Sequence, residues 1–265
     1  MYLRDPHDGP IDSSIDTSQS RESIFSRWYS KSYSLICGAP PYVRPWHFQW
    51  LSINPLYSDL RQILARLEGR VLDVGCGLKP YSVWLSPDKT HLVGIDVTLQ
   101  SKADLVVSPK DGWPFANSSF DSVICLQVME HVSDLDLVVG EIERVLRASG
   151  LLIVSVPFIY QLHGAPEDYR RFSGHGVRRL FENSCDILEV RQQGGIGSAL
   201  GTLWLNWIEG ATNSVPVTRF AKGVLMPAWV LVCFATNVGA WLLDKLDRTR
   251  SSYPNVLLIA RRRDP

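Results

Sequence analysis

The chain has 265 residues with 27 basic and 27 acidic side chains, so its formal net charge is zero. A chain of this length forms one large domain or one domain with an insertion, and a hydrophobic content of 45% excludes a disordered chain. Because the net charge is zero, the sequence lacks the excess of basic residues typical of nucleic-acid-binding proteins. We therefore do not expect nucleic acid as a partner. Its five cysteines are scattered without a CxxC pair, which disfavours a disulfide framework or a structural zinc site.

The segment before residue 70 divides into a tail and a cap. Residues 1–22 are rich in Ser, Asp and Pro, which predicts a flexible tail. This tail has no apolar core and is therefore not a secretory signal, so we expect a cytoplasmic protein. Residues 23–69 combine large aromatic side chains with a helical apolar pattern over 56–67, which predicts a helical and aromatic N-terminal cap.

From residue 70 onward, apolar strand patterns alternate with helical ones. Helices are predicted at 79–86, 136–147 and 175–183. The predicted strands are 70–75, 91–96, 103–108, 120–128, 151–158, 186–193 and 255–262. This alternation predicts an α/β domain with a mostly parallel sheet and helices on both faces. We assign residues 70–193 and 253–265 to that domain, with 194–252 as a hydrophobic helical insertion.

The first strand of this domain ends in a turn suited to a nucleotide-like ligand. Asp73 precedes Gly75 and Gly77, and glycines let a ligand approach the backbone closely. Asp96, at the end of the second strand, can accept two hydrogen bonds from a ribose diol. A dinucleotide turn requires a third glycine, whereas the run here is G-C-G-L-K-P. An NAD(P)-dependent oxidoreductase is therefore the alternative enzyme class.

Four motifs follow one another at characteristic spacing. They are VLDVGCG (71–77), VGID (93–96), WPFANSSFDSVICLQVMEHV (113–132) and EIERVLRASGLLIVSVP (141–157). Together they resemble the class I S-adenosylmethionine-dependent methyltransferases, and within them the type 11 methyltransferases. The resemblance covers about residues 70–192 and the last strand. It implies a Rossmann-like fold with seven strands, the last of them antiparallel, and S-adenosyl-L-methionine as cofactor.

The resemblance also implies which residues bind this cofactor. Gly75 and Gly77 would contact its amino-acid end, Asp73 would order their turn, and Asp96 would bind the ribose hydroxyls. Many relatives have an acidic residue that contacts the adenine at the position of Ser108. In this chain we expect a neighbouring residue to make that contact. The other residues assigned to the cofactor site are Cys76 as a small filler of the turn, Val97 and either Asp111 or Trp113 near the adenine, and Leu126 and Gln127 near the methionine.

The acceptor is expected at the loop after strand five. Residues 157–173 resemble the H-x-x-P-x-D-Y-x-R-[FW]-[ST] loop of relatives linked to glycan or lipid-linked sugar pathways. We hypothesise that His131 or His163 assists deprotonation of a small-molecule, glycan or lipid-linked acceptor, with O-methylation favoured. For Asp168 and Arg171 two roles remain open: we expect them either to contact the substrate or to form an internal ion pair. Further polar candidates in these loops are Glu130, Glu167 and Tyr169. The six histidines show no ligand spacing, so no metal is expected.

The insertion contains an uncharged stretch, residues 223–243, long enough to span a bilayer. A single crossing would separate the last strand from its sheet, so that topology is excluded. Two alternatives remain. Residues 194–243 form a hairpin at the membrane interface on the inner face of the membrane, or they pack as a buried cap or homodimer interface. A third function class follows: a non-catalytic, membrane-associated binding protein that keeps the fold.

Overall fold

The computed structural model describes residues 24–264, so the tail predicted for 1–22 lies outside the described residues. A seven-stranded sheet forms its centre, and a separate antiparallel pair of two-residue strands lies in the N-terminal cap. In chain order the strands are Gly38–Ala39 (β1), Tyr42–Val43 (β2), Gly69–Val74 (β3), Thr90–Asp96 (β4), Leu105–Val106 (β5), Phe120–Leu126 (β6), Leu146–Pro157 (β7), Cys185–Gln193 (β8) and Asn255–Arg262 (β9).

Helices cover both faces of the large sheet and build the cap and the insertion. They are Ile24–Cys37 (α1), Trp50–Leu64 (α2), Leu135–Val145 (α3), Gly174–Phe181 (α4), Ile196–Asn213 (α5), Pro216–Val224 (α6) and Met226–Leu246 (α7). Two 3₁₀ turns, Pro80–Trp84 and Met129–His131, follow β3 and β6. The first replaces the helix predicted at 79–86, and it begins after Lys79 in a left-handed conformation.

The strand order β5-β4-β3-β6-β7-β9-β8 confirms the Rossmann-like architecture. The strands from β3 to β7 pair in parallel, and β9 runs antiparallel to both β7 and β8, as the resemblance implied. The chain proceeds outward from β3 to β5 and returns to place β6 on the other side of β3. The switch point therefore lies between β3 and β6, where open α/β sheets bind ligands at their carboxyl ends.

The sheet is buried on both faces because successive side chains of a strand point to opposite sides. Leu72 of β3 belongs to the core cluster that includes Ile142 and Val145 of α3. Its neighbour Val71 belongs to the second cluster, which includes Leu60 of α2. Burial on both faces explains the continuous apolar runs of these strands.

The N-terminal cap and the insertion pack against each other. One core cluster joins Tyr33 and Cys37 of α1 to Leu205 of α5 and to Trp229 and Cys233 of α7. The buried side-chain amide of Asn237, also on α7, donates hydrogen bonds to the carbonyl oxygens of Pro45 (2.7 Å) and His47 (2.9 Å). One side of the insertion is therefore buried against the N-terminal cap.

The insertion leaves the sheet and returns to it at neighbouring points. Gln193, the last residue of β8, pairs with Asn255, the first residue of β9, and Asn255 also pairs with Pro157 at the end of β7. Because Pro157 marks the carboxyl end of a parallel strand, both ends of the insertion lie at the carboxyl edge of the sheet. The insertion therefore begins and ends at the edge where the fold binds ligands.

Candidate cofactor and acceptor site

A cavity of about 700 Å³ opens at the switch point between β3 and β6. Gly75 follows β3, Asp96 ends β4 and Gln127 follows β6, so three neighbouring strands each contribute to its wall. Its volume falls in the range of small-molecule and cofactor pockets. Further lining residues include Val97, Ser108, Asp111, Trp113, Val128, His131, Glu167 and Tyr169.

The turn after β3 is shaped by two glycines in the left-handed region. Gly75 has φ +63°, and a Cβ there would lie 2.4 Å from Cγ2 of Val128. Gly77 has φ +50°, and a Cβ there would meet no atom within 4 Å. The side chain of Asp96 fixes the turn, because Oδ2 accepts a hydrogen bond from the Gly77 N–H (2.9 Å) and Oδ1 accepts one from the Thr98 N–H (3.0 Å). Each oxygen keeps a lone pair for a further donor.

Asp73 lies beneath this turn and is fully buried. Its Oδ1 accepts a hydrogen bond from the Tyr81 hydroxyl (2.9 Å), whereas Oδ2 has no hydrogen-bond partner among the described residues. Burial raises the pKa of Asp73 to about 7, although the Tyr81 hydrogen bond and the charge of Lys79 oppose this rise. The carboxyl that the resemblance assigned to ordering the turn is thus positioned below it and only half satisfied.

Some of the remaining predicted cofactor residues line the cavity, and the others are buried behind it. Val97, Asp111, Trp113 and Gln127 line the cavity, together with Ser108 in the usual acidic position. Cys76 is buried inside the turn, and burial raises the pKa of its thiol to about 12, which fits a filler role. Leu126 packs in the core cluster below α2 and is absent from the cavity wall. The prediction that Leu126 contacts the cofactor has no support from this geometry.

The loop after β7 folds back onto the turn after β6. The rings of His131 and His163 meet edge to face with centroids 4.7 Å apart, and His131 lines the cavity. The Glu130 carboxylate lies 3.7 Å from Nε2 of each histidine, and it raises the pKa of His163. Half-exposed Tyr169 also lines the cavity, and its N–H donates to the Glu130 carbonyl oxygen (2.9 Å). Three predicted catalytic residues therefore come together, and two of them, His131 and Tyr169, line the cavity.

Asp168 and Arg171 form the internal ion pair that the sequence left open. Arg171 donates to both oxygens of the buried Asp168 carboxylate and also to the carbonyl oxygens of Gln161 (2.6 Å) and Tyr160 (3.3 Å). Asp168 in turn accepts from the His163 N–H (2.8 Å), and its pKa is lowered chiefly by the Arg171 hydrogen bonds. This pair holds the loop that carries His163. The prediction that either residue contacts the substrate remains a prediction.

Replacing Gly75 and Gly77 one at a time with alanine should affect two different properties, the stability of the fold and the affinity for the cofactor. We expect Gly75→Ala to lower the melting temperature clearly, because the new Cβ overlaps Val128 and overpacking typically costs about 1–3 kcal/mol. We expect Gly77→Ala to cost only about 1 kcal/mol, from its positive φ, and to weaken cofactor binding at least tenfold. Thermal unfolding and calorimetric titration measure the two effects. Unchanged affinity of Gly77→Ala would contradict contact between this turn and the ligand.

Comparison with known proteins agrees with this geometry. Residues 72–154 match a family model described as a methyltransferase domain. An uncharacterized methyltransferase of Bacillus subtilis, YcgJ, is 32% identical over 117 residues, 39% of this chain and 44% of its own length. A ubiquinone biosynthesis O-methyltransferase of Hahella chejuensis is 29% identical over 177 residues, 57% of this chain and 68% of its own length. The chain thus spans less than half of the Bacillus relative.

The fold also matches solved structures. The crystal structure of the [4+2]-cyclase SpnF aligns with a TM-score of 0.54 and 18% identity, over 82% of this chain and 84% of that chain. Identity at this level establishes a shared fold and leaves the chemistry open.

Proposed function

We propose that this chain, in which residues 72–154 match a methyltransferase domain, transfers a methyl group from S-adenosylmethionine to a small-molecule, glycan or lipid-linked acceptor, most simply to oxygen. The observation that supports this best is one cavity that joins two kinds of site. Gly75 and Asp96 line this cavity, and so do His131 and Tyr169. Methyl transfer requires a cofactor and an acceptor in line within one pocket.

The residues at the turn fit S-adenosylmethionine. Beneath the turn, a buried Asp73 oxygen without a partner among the described residues offers negative potential to a cationic amino-acid end. Next to Gly77, the absence of described atoms within 4 Å of a virtual Cβ leaves room for a ligand against the backbone. Asp96 would hold the ribose, and Val97, Asp111 and Trp113 would surround the adenine. The bound cofactor supplies an activated methyl group, so the protein has mainly to align the acceptor and exclude water.

The polar end of the cavity supports a hydroxyl acceptor. Oxygen acceptors must lose a proton, and groups that assist this must lie within hydrogen-bond reach of the hydroxyl. The His131 imidazole and Tyr169 line the cavity, and the His163 ring packs edge to face against His131. The ubiquinone O-methyltransferase relative is consistent with an oxygen acceptor.

The decisive experiment measures binding and turnover separately. Calorimetric titration with S-adenosylmethionine and with NAD tests the enzyme class, and binding of NAD alone would favour the oxidoreductase. Release of S-adenosylhomocysteine in the presence of phenolic, glycan and polyprenyl-linked acceptors tests turnover. Binding without release for any acceptor would favour the non-catalytic protein of the same fold, since the cyclase with this fold illustrates that fold and chemistry differ.

We further propose that the outer face of the insertion contacts a membrane surface. α7 is long and apolar enough to cross a membrane, yet only 28% of its apolar window is buried. Its inner stripe is buried against α5 and the N-terminal cap, whereas an outer stripe at helical spacing faces solvent. The outer stripe consists of Leu231 (66% exposed), Phe234, Val238, Trp241 and Leu242. On α5, the stacked rings of Trp204 and Trp207 are also exposed.

Charge and position favour lipid as the partner of this face. Lys245 lies in the last turn of α7, and Arg248 and Arg250 follow the helix. Asp244 and Asp247 lie in the same segment, which leaves one net positive charge for anionic headgroups. The ammonium group of Lys245 lies 3.6 Å from the centre of the Trp241 ring, an arrangement suited to the interface region. Because the insertion starts and ends at the carboxyl edge of the sheet, lipid contact would bring the cavity edge towards a lipid-linked acceptor.

Vesicle flotation tests this proposal. We expect the full chain to float with anionic phosphatidylglycerol vesicles, and Trp207→Glu/Leu231→Glu to reduce the bound fraction at least tenfold, because both changes add charge to exposed apolar positions. Leu188→Glu, at an exposed position on β8, is the matched control and should float like the parent. If the chain forms a stable dimer and does not bind vesicles, this face would instead be a homodimer interface.

A further inference from the structure

The buried carboxylate of Glu130 has no hydrogen-bond partner within the described residues. Glu130 belongs to the 3₁₀ turn after β6, and its side chain is 0% exposed. Neither Oε1 nor Oε2 accepts a hydrogen bond from residues 24–264. Removing a carboxylate from water is costly unless a positive charge or a set of donors compensates it. Either a protonated imidazole or a bound cation must therefore compensate Glu130.

Two imidazoles converge on this carboxylate with the same ring atom. Nε2 of His131 and Nε2 of His163 each lie 3.7 Å from Oε1 of Glu130. Ligand atoms of all three residues lie within 4.8 Å of one another. An ion bound at about 2.1 Å to tetrahedral ligands separates them by about 3.4 Å, so small side-chain rotations would close this set around a metal.

The opposite ring atoms of both histidines are already engaged. Nδ1 of His131 contacts the carbonyl oxygen of Glu167, an acceptor. Nδ1 of His163 lies 3.3 Å from the carbonyl oxygen of Gln161 and 3.4 Å from the Asp168 carboxylate. For His131, the carbonyl oxygen at Nδ1 favours a proton there and leaves a lone pair on Nε2. For His163, a guanidinium nitrogen of Arg171 also lies 3.5 Å from Nδ1, so a lone pair on Nε2 requires Nδ1 to donate to Gln161 or Asp168. Metal-binding histidines show this arrangement, since a carbonyl or carboxylate behind the ring fixes its orientation and tautomer.

We propose that Glu130, His131 and His163 bind a divalent transition-metal ion. Two imidazoles and one carboxylate suit Zn²⁺ and the neighbouring ions of the first transition row, and a three-ligand set leaves a position open for substrate. The ion would compensate the charge of Glu130 where no side-chain donor among the described residues does. Histidine spacing in the sequence did not predict this site, because the ligands lie on two loops that meet only in the folded chain.

The catalytic use of this ion rests on the proposed function. Because His131 lines the cavity, an ion held by His131 would lie close to a bound acceptor. A hydroxyl oxygen bound to the ion would release its proton to solvent more readily, because the metal stabilises the resulting alkoxide or phenolate. His131 and His163 would then act as ligands that position the acceptor, in place of one of them acting as a free base.

Metal titration of the full chain tests the site without any need for turnover. We expect the protein, treated with chelator and then titrated with Co²⁺ alone, to bind about one equivalent and to develop visible d–d absorption. Glu130→Gln keeps the shape of the side chain and should weaken Co²⁺ binding at least about a hundredfold. His163→Ala, at a partly exposed position, should do the same. His175→Ala, at an exposed position on α4, is the matched control and should bind like the parent.

The outcomes separate this inference from the proposed function. Absence of Co²⁺ and Zn²⁺ binding by a folded parent chain would overturn the metal site, and so would binding that Glu130→Gln and His163→Ala leave intact. In the first case a protonated histidine would balance Glu130, and methyl transfer would continue unchanged in chelator. Metal binding without release of S-adenosylhomocysteine would keep the site and refute the methyltransferase proposal.

Discussion

Replacing Asp96 with alanine is expected to lower the affinity for S-adenosylmethionine by at least a hundredfold. The variant lacks the carboxylate that would accept two hydrogen bonds from the ribose hydroxyls. Hydrogen bonds to charged groups contribute about 1.5–3 kcal/mol each. The turn would also lose its anchor, because Asp96 accepts from the N–H groups of Gly77 and Thr98. Calorimetric titration of the purified variant measures the effect, with thermal unfolding to verify the fold.

Two companion variants make this result specific. Asp96→Asn retains one carbonyl oxygen and should bind with intermediate affinity. Asp186→Ala removes a carboxylate that is 66% exposed on β8 and pairs with Arg263, far from the cavity wall, so it should bind like the parent. Equal affinity of Asp96→Ala and the parent would refute the assignment of the ribose to β4 and, with it, the orientation of the cofactor in the cavity.

Much of the geometry around the glycine turn was predictable because it depends on local sequence and on one rule of sheet geometry. Asp73, Gly75 and Gly77 are close together in the chain, and Asp96 ends the next strand. Parallel strands place their carboxyl ends at one edge, so these residues must meet. Leu126 is the exception. Strand alternation directs it into the cluster below α2, whereas its neighbour Gln127 reaches the cavity with φ +56°, a conformation the sequence does not reveal.

The acceptor end was less predictable because it depends on a distant contact. Glu130 and His163 are separated along the chain by the whole of α3, β7 and half a loop. The sequence identified Glu130 as polar and close to a histidine, but no pattern indicates that its carboxylate is fully buried without a partner among the described residues. Similarly, α7 is apolar on all sides, so its pattern could not distinguish the face that packs on α1 and α5 from the exposed one.

Replacing Asp73 with asparagine is expected to stabilise the protein at neutral pH and above. The Asp73 carboxyl has a pKa near 3.8 in the unfolded chain and about 7 in the fold, where burial disfavours its charge. Between these values the folded chain binds the proton more tightly, so the free energy of unfolding falls as the pH rises. Because each pKa unit corresponds to about 1.4 kcal/mol, the loss is about 4 kcal/mol by pH 8.

Denaturant unfolding from pH 4 to pH 8 measures this effect as the difference between parent and variant. The side-chain amide that Asp73→Asn introduces does not titrate, so we expect the two stabilities to be similar near pH 4 and to diverge in favour of the variant up to pH 8. Other titrating groups are common to both proteins and cancel in the difference. A parent that gains stability relative to the variant as the pH rises would show that Asp73 is stabilised in its charged form.

The affinity of the parent for the cofactor is expected to rise with pH, whereas its free energy of unfolding falls. The cationic amino-acid end and sulfonium of S-adenosylmethionine favour a charged Asp73, so affinity in the parent should rise with pH through about 7. Asp73→Asn should bind more weakly at pH 8 and lose most of this pH dependence. On the proposed function, the ligand would compensate the unfavourable buried charge beneath the turn. Calorimetric titration at pH 6 and pH 8 tests this coupling, and a parallel pH dependence in both proteins would contradict it.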